Sequence, residues 1–140
     1  MFSERIGHSM KSEKLVTTAS QASVFEVAEL MLRHGVGAVL VVEGGSLIGI
    51  FTERDAVFRV LAAGRDARAV RVGEVMTPQP VTVGPEASFG HAMLLMHERG
   101  FRHVPVVEDG RLVGIVSARD ALDPELEDFI CEERRREALR

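Results

Sequence analysis

The chain has 140 residues, 46% of them hydrophobic and 27% charged, which is long and apolar enough to bury one ordinary core without disulfides or a structural metal. A formal net charge of −4 and a pI near 5.7 argue against a phosphate-backbone footprint, and with no Trp, no Tyr and seven scattered Phe there is little on which single-stranded bases could stack. No apolar run approaches the roughly 18–20 residues of a bilayer span, the N-terminal MFSERIGHSMKSEK has no apolar signal core, and the single Cys131 cannot form an internal disulfide, so a cytoplasmic protein is expected, with neither nucleic acid nor membrane as partner.

Residues 1–63 read as a first unit with an N-terminal segment. The β-rich LVTT leads into a helix whose N-cap is Ser23 and whose apolar positions Val24, Val27, Ala28 and Met31 recur at helical spacing. Gly35 is its expected C-cap. Two apolar runs, AVLVV and LIGIF, follow, joined by EGGS, whose Gly-Gly is a two-residue hairpin signal. A second helix starts at Thr52. Residues 64–78 have the charge, Gly and Pro content of a connector, with VGEVM as a short helical turn.

Residues 79–122 say the same again. PVTV leads to a helix capped by Ser88 and Gly100, then HVPVV and LVGIV joined by EDGR, then a helix from Ser117. With an offset of 65, Val16 on Val81 runs without a gap to Ala56 on Ala121, and 18 of these 41 positions are identical; chance gives roughly two or three. The order is β-α-β-β-α twice, an α/β (α+β) fold. Residues 123–140 are expected to form a closing helix, capped by Asp123 with Pro124 in its first turn, acids early and arginines late. Each copy alone is short for an independent core, so the two are expected to pack together. Phe25, Leu30 and Leu32 extend the apolar surface of the first helix beyond one face, which suggests a homodimer interface or a helix sandwiched within the monomer.

The copies end in GIFTERD and GIVSARD. Thr52 or Ser117 as N-cap, with Asp55 or Asp120 at the third helical position, is a capping box in which Asp stands where Glu or Gln is usual, and capping alone explains the pattern. Three features point further. Gly49 and Gly114 lie inside strands, where glycine often marks a close approach by a ligand or backbone; a helix N-terminus is a ready anion site; and an aspartate so placed can accept from ribose hydroxyls.

This doubled plan, closing in G-h-x-[ST]-x-x-D and carrying FRHVPVVEDGRLVGIVSARD in its second copy, resembles the cystathionine-β-synthase (CBS) domain family, from about residue 6 to 122. It looks like a stand-alone bacterial tandem pair, or Bateman module. The resemblance implies two repeats related by a pseudo-twofold axis and packed through their sheets, with two clefts for adenosine ligands: AMP, ADP or ATP, and also NAD or S-adenosylmethionine. Carried over, one cleft combines Thr52 and Asp55 with Thr82, Ala87, Arg102, His103, Val104 and Pro105. The other combines Ser117 and Asp120 with Thr17, Ala22, Gly37, Ala38 and Val39. The aspartates are expected on ribose hydroxyls, Thr52 and Ser117 on ribose or phosphate, and strand backbone on the adenine edge. Arg54 and Arg119 could reach phosphate. Arg102 and His103 are expected to make their cleft the tighter one for phosphorylated ligands, since the first copy has VGAV there.

His8, His34, His91, His97 and His103 form no i, i+4 pair and no tight cluster with Cys131, so no metal is expected. Glu43 and Glu108 lie beside hairpin turns and need no function. No nucleophilic triad can be argued, and no catalytic residue is assigned. The expected activity is that of a non-enzymatic sensor that passes its ligand state to a partner protein. The alternatives are a dimerisation scaffold with empty clefts, or a regulatory subunit acting in trans on an enzyme such as IMP dehydrogenase.

Overall fold

The computed structural model describes residues 5–9 and 15–139; the side chains of residues 8, 9 and 120–128 lie outside that description. Four strands, β1 (Thr17–Thr18), β2 (Ala38–Glu43), β3 (Ser46–Thr52) and β4 (Thr77–Pro78), make one sheet in that order, with β1 parallel to β2 and the other pairs antiparallel. A second sheet pairs β5 (His103–Glu108) with β6 (Arg111–Ser117), and Val83 bridges in parallel to Val106.

The repetition extends to register. Ala38 faces Thr52 as His103 faces Ser117, and the slip between Val41 and Val42 recurs between Val106 and Val107. Thr18 pairs with Val41 as Val83 does with Val106. Both hairpins turn through two residues of positive φ, Gly44 (56°) and Gly45 (81°), then Asp109 (50°) and Gly110 (77°), the geometry that suits the twist of the flanking strands.

Each copy lays one helix on its sheet: α2 (Val24–His34) and α5 (Phe89–Arg99). The hydroxyl of Ser23 accepts from the Glu26 N–H, and that of Ser88 from the His91 N–H, both at 3.1 Å. Gly35 and Gly100 close the helices in the left-handed region. Val24, Val27 and Met31 face inward, as do Phe89, Ala92 and Met96, while Ala28 is exposed.

The strands are apolar on both faces because both faces are covered. Val39, Val41 and Phe51 join α2 in the first copy's core, and Val104, Val106 and Val116 join α5 in the second. The opposite faces meet between the sheets, where Ala38, Leu40, Ile50 and Ile115 form a third cluster. The copies therefore pack through their sheets.

Two short helices cross between the copies. α1 (Ile6–Ser9), which precedes the first copy, lies on the second: the N–H groups of Ile6 and Gly7 donate to the carbonyls of Ala87 and Pro85, both at 2.9 Å, and Ile6 is fully buried in the α5 core. α4 (Val72–Val75), which precedes the second copy, does the same to the first, with Val72 and Gly73 donating to Ala22 and Ser20 at 2.8 and 3.0 Å. Residues 64–78, expected as a connector, thus supply Val70, Val72 and Val75 to the first core.

The second helices differ between copies. In the first, α3 (Glu53–Asp55) passes into a π-helical turn, Ala56–Leu61. In the second, α6 runs unbroken over Ala118–Ala138. The separate closing helix expected from Asp123 is therefore corrected: Asp123 and Pro124 lie inside one continuous helix.

Candidate functional site

The strand-to-helix corner at Thr52 is held by its own side chains. The Thr52 N–H and hydroxyl donate to Asp55 Oδ2 at 3.0 and 3.2 Å, and the Asp55 N–H donates to Thr52 Oγ1 at 3.3 Å, a complete capping box. Asp55 Oδ1 stands 3.5 Å from Arg59 Nε one helical turn on. Arg59 in turn donates to the carbonyls of Val75 and Met76 at 3.3 and 3.1 Å, tying the helix to the entry of β4. Asp55 is the one buried charged residue among those described.

The buried carboxylate borders open space. A cavity of about 580 Å³ is lined by Thr52 and Asp55 from the first copy and by Arg99, Phe101, Arg102 and His103 from the second, with Thr77, Gln79, Pro80 and Val81 along the β4 side. Its volume is within the range of small-molecule sites, roughly 300–1,000 Å³. Arg54, Arg59, Arg99 and Arg102 stand here against Glu53 and Asp55. Four guanidinium groups and two carboxylates make a cationic pocket in a chain of net charge −4, which favours an anionic ligand.

A second cavity, about 730 Å³, lies across the same wall. Ser117, Ala118 and Arg119 line it from the second copy, and Leu32, Gly37 and Ala38 from the first. The Asp120 side chain is outside the described residues. Arg102 and His103, expected beside Thr52 and Asp55, border that cavity and this one as well.

Several residues carried over from the resemblance do not reach either cavity. Val39, Val104 and Pro105 are fully buried in the sheets. Ala22 and Ala87 pack against the two cores, with their carbonyls taken by α4 and α1. Thr17 and Thr82 are exposed outside both linings. Gly49 does not admit a ligand: a Cβ there would collide with the Met76 Sδ and lie 2.9 Å from its Cγ, so this glycine makes room for a thioether. Arg59 and Arg99 were not anticipated. Arg59 was signalled by its i, i+4 spacing from Asp55, which sets both side chains on one helix face; Arg99, in the last turn of α5, reads from sequence only as a complement to the helix dipole. Among the described residues no helix is long and apolar enough to cross a membrane.

A CBS domain family model matches residues 6–62 and 72–125. The chain belongs to the CBS domain family. Among relatives, the CBS domain-containing protein YhcV of Bacillus subtilis is 39% identical over 107 residues, 76% of each chain. A mitochondrial CBS domain-containing protein of Arabidopsis thaliana is 37% identical over 105 residues, 71% of this chain but 51% of that protein, so the chain spans about half the length of that relative. An uncharacterized conserved protein of Pyrococcus horikoshii superposes with a TM-score of 0.83 at 27% identity, covering 89% of this chain and 94% of the other. The CBS domain pair of protein MJ0100, solved in complex with 5′-methylthioadenosine and S-adenosyl-L-methionine, superposes at 0.76 with 27% identity over 84% of this chain and 96% of that one.

Proposed function

We propose that this CBS pair is a non-enzymatic cytoplasmic sensor of adenosine-containing nucleotides, with AMP, ADP or ATP as its ligands, working as a homodimer that signals its state to a partner protein. The observation that carries the reading is the cationic cavity of about 580 Å³ at the Thr52–Asp55 corner. Thr52 and Asp55 offer the sugar a hydroxyl and a carboxylate, and Arg54, Arg99 and Arg102 offer the phosphates their forks. The adenosine derivatives held by the MJ0100 pair support the same ligand class.

A ribose on Asp55 competes for an oxygen that now faces Arg59 at 3.5 Å. Because Arg59 also holds the Val75 and Met76 carbonyls, a ligand that takes Asp55 Oδ1 from Arg59 loosens the tie between the Thr52 helix and β4. A binding event of this kind shifts a conformational equilibrium by its differential affinity for the two states.

A thermal-melt screen with AMP, ADP, ATP, NAD and S-adenosylmethionine tests the reading. A ligand at ~100 times its dissociation constant adds about 2.7 kcal/mol, a shift of several degrees for a chain this size. Stabilisation by at least one nucleotide, lost in Asp55→Ala, is expected. No shift with any of the five ligands removes the sensor and leaves the scaffold.

A further inference from the structure

We propose that the two cavities share a single phosphate-recognition wall, in which Arg102 attracts and Glu53 repels the anion bound in either cavity. The inference rests on the nucleotide reading above. Gly37, Glu53, Arg102 and His103 border both cavities, whereas Thr52 borders only the smaller and Ser117 only the larger. The hydroxyl residues suited to a sugar therefore stand apart, and of the charged lining residues Glu53 and Arg102 stand in common, while Arg54, Arg59 and Arg99 border the smaller cavity alone and Arg119 the larger.

The copies differ at this wall. At the offset of 65, Arg102 replaces Gly37, His103 replaces Ala38, and Ala118 replaces Glu53. The backbones are nonetheless matched: the Glu53 N–H donates to the Gly37 carbonyl at 3.1 Å, as the Ala118 N–H does to that of Arg102 at 2.9 Å. The second copy thus contributes the extra basic side chains and the first copy the extra carboxylate, all at the seam. Glu53 and His103 flank one point of this wall, since a Cβ on Gly37 would lie 3.1 Å from Glu53 Oε1 and 3.6 Å from His103 Nε2, and Arg102 lines the same two cavities. A phosphate on either side meets the same guanidinium and the same carboxylate. Adenosine, which carries no charge, is indifferent to both.

Calorimetric titration of the full chain with ADP and with adenosine decides the matter. Glu53 and Arg102 are both exposed, so neither substitution removes core packing. For Arg102→Ala, both ADP dissociation constants are expected to rise at least about fivefold. For Glu53→Gln, both are expected to fall by about threefold. Adenosine binding stays unchanged in each variant. If either substitution moves only one ADP constant, or if the chain takes a single ADP, the shared wall is overturned while the sensor reading stands. If neither ADP nor adenosine binds, both fall together.

Discussion

Asp55 Oδ2 accepts from the Thr52 N–H and hydroxyl at once, at 3.0 and 3.2 Å, while the other oxygen of the same carboxylate faces Arg59, and the residue lines the smaller cavity. One side chain thus finishes a helix and borders a candidate binding site, and the two roles separate by substitution. Asp55→Ala removes both and is expected to cost about 1 kcal/mol of stability, the usual value of a cap. Asp55→Asn retains a carbonyl oxygen for the Thr52 N–H and is expected to melt within a degree or two of the wild type, yet to lose nucleotide stabilisation. Melting curves of the two variants with and without ADP check this.

Glu43 closes a different loop. Its Oε1 accepts from the Ser20 N–H at 3.0 Å and also from the Ser20 hydroxyl, and these bonds hold its carboxyl below the ordinary range. A carboxyl with a lowered folded-state pKa stabilises the fold above its unfolded value, about 4.3, and that contribution is lost as pH falls through the folded value. Glu43→Gln is therefore expected to lower the melting temperature at neutral pH, with the gap from wild type closing as the solution is acidified. A gap that holds constant into acid refutes the assignment.

Gly49 pairs with Pro78 across β3 and β4, and the Met76 side chain, from just before β4, lies over it. Gly49→Ala forces the new methyl onto the thioether and is expected to cost about 1–3 kcal/mol. Met76→Ala should be costly alone but should relieve the clash in combination, so a double-mutant cycle by urea denaturation should give a coupling above about 0.5 kcal/mol.

Ile6 is the lid of the second core. It is fully buried between α5 and the Val104–Val116 face, so Ile6→Ala is expected to destabilise the whole chain by about 2–4 kcal/mol, despite its place near the N-terminus. Urea denaturation measures this; a change below about 0.5 kcal/mol would mean that α1 is not part of the core.

The caps and hairpins were legible because their chemistry is local. Ser23, Gly35, Gly44 and Gly45 each satisfy or permit a backbone geometry within a few residues, and the second copy repeats them. The cavity walls were less legible, because they depend on which faces meet after packing: a match between copies places Arg102 in a cleft but cannot show that two clefts touch it. Sequence alone favoured a helix start at Asp123-Pro124, because a proline inside a helix forfeits an N–H bond and crowds the carbonyl four residues back, yet α6 runs through both residues. The crossing of α1 and α4 escaped for a simpler reason. RIGHSM at 5–10 and RVGEVM at 71–76 are alike at an offset of 66, one residue out of step with the 65 that aligns everything else.

That crossing interlocks the chain. Because each half is roofed by a segment that belongs, in sequence, to the other, a single cut in the exposed stretch around residues 62–66 should free no independent fragment: the two pieces would stay clasped as one particle. Made separately, each half would display an uncovered core and an unused arm, the two complementary surfaces from which reassembly, or exchange with a neighbouring molecule, begins.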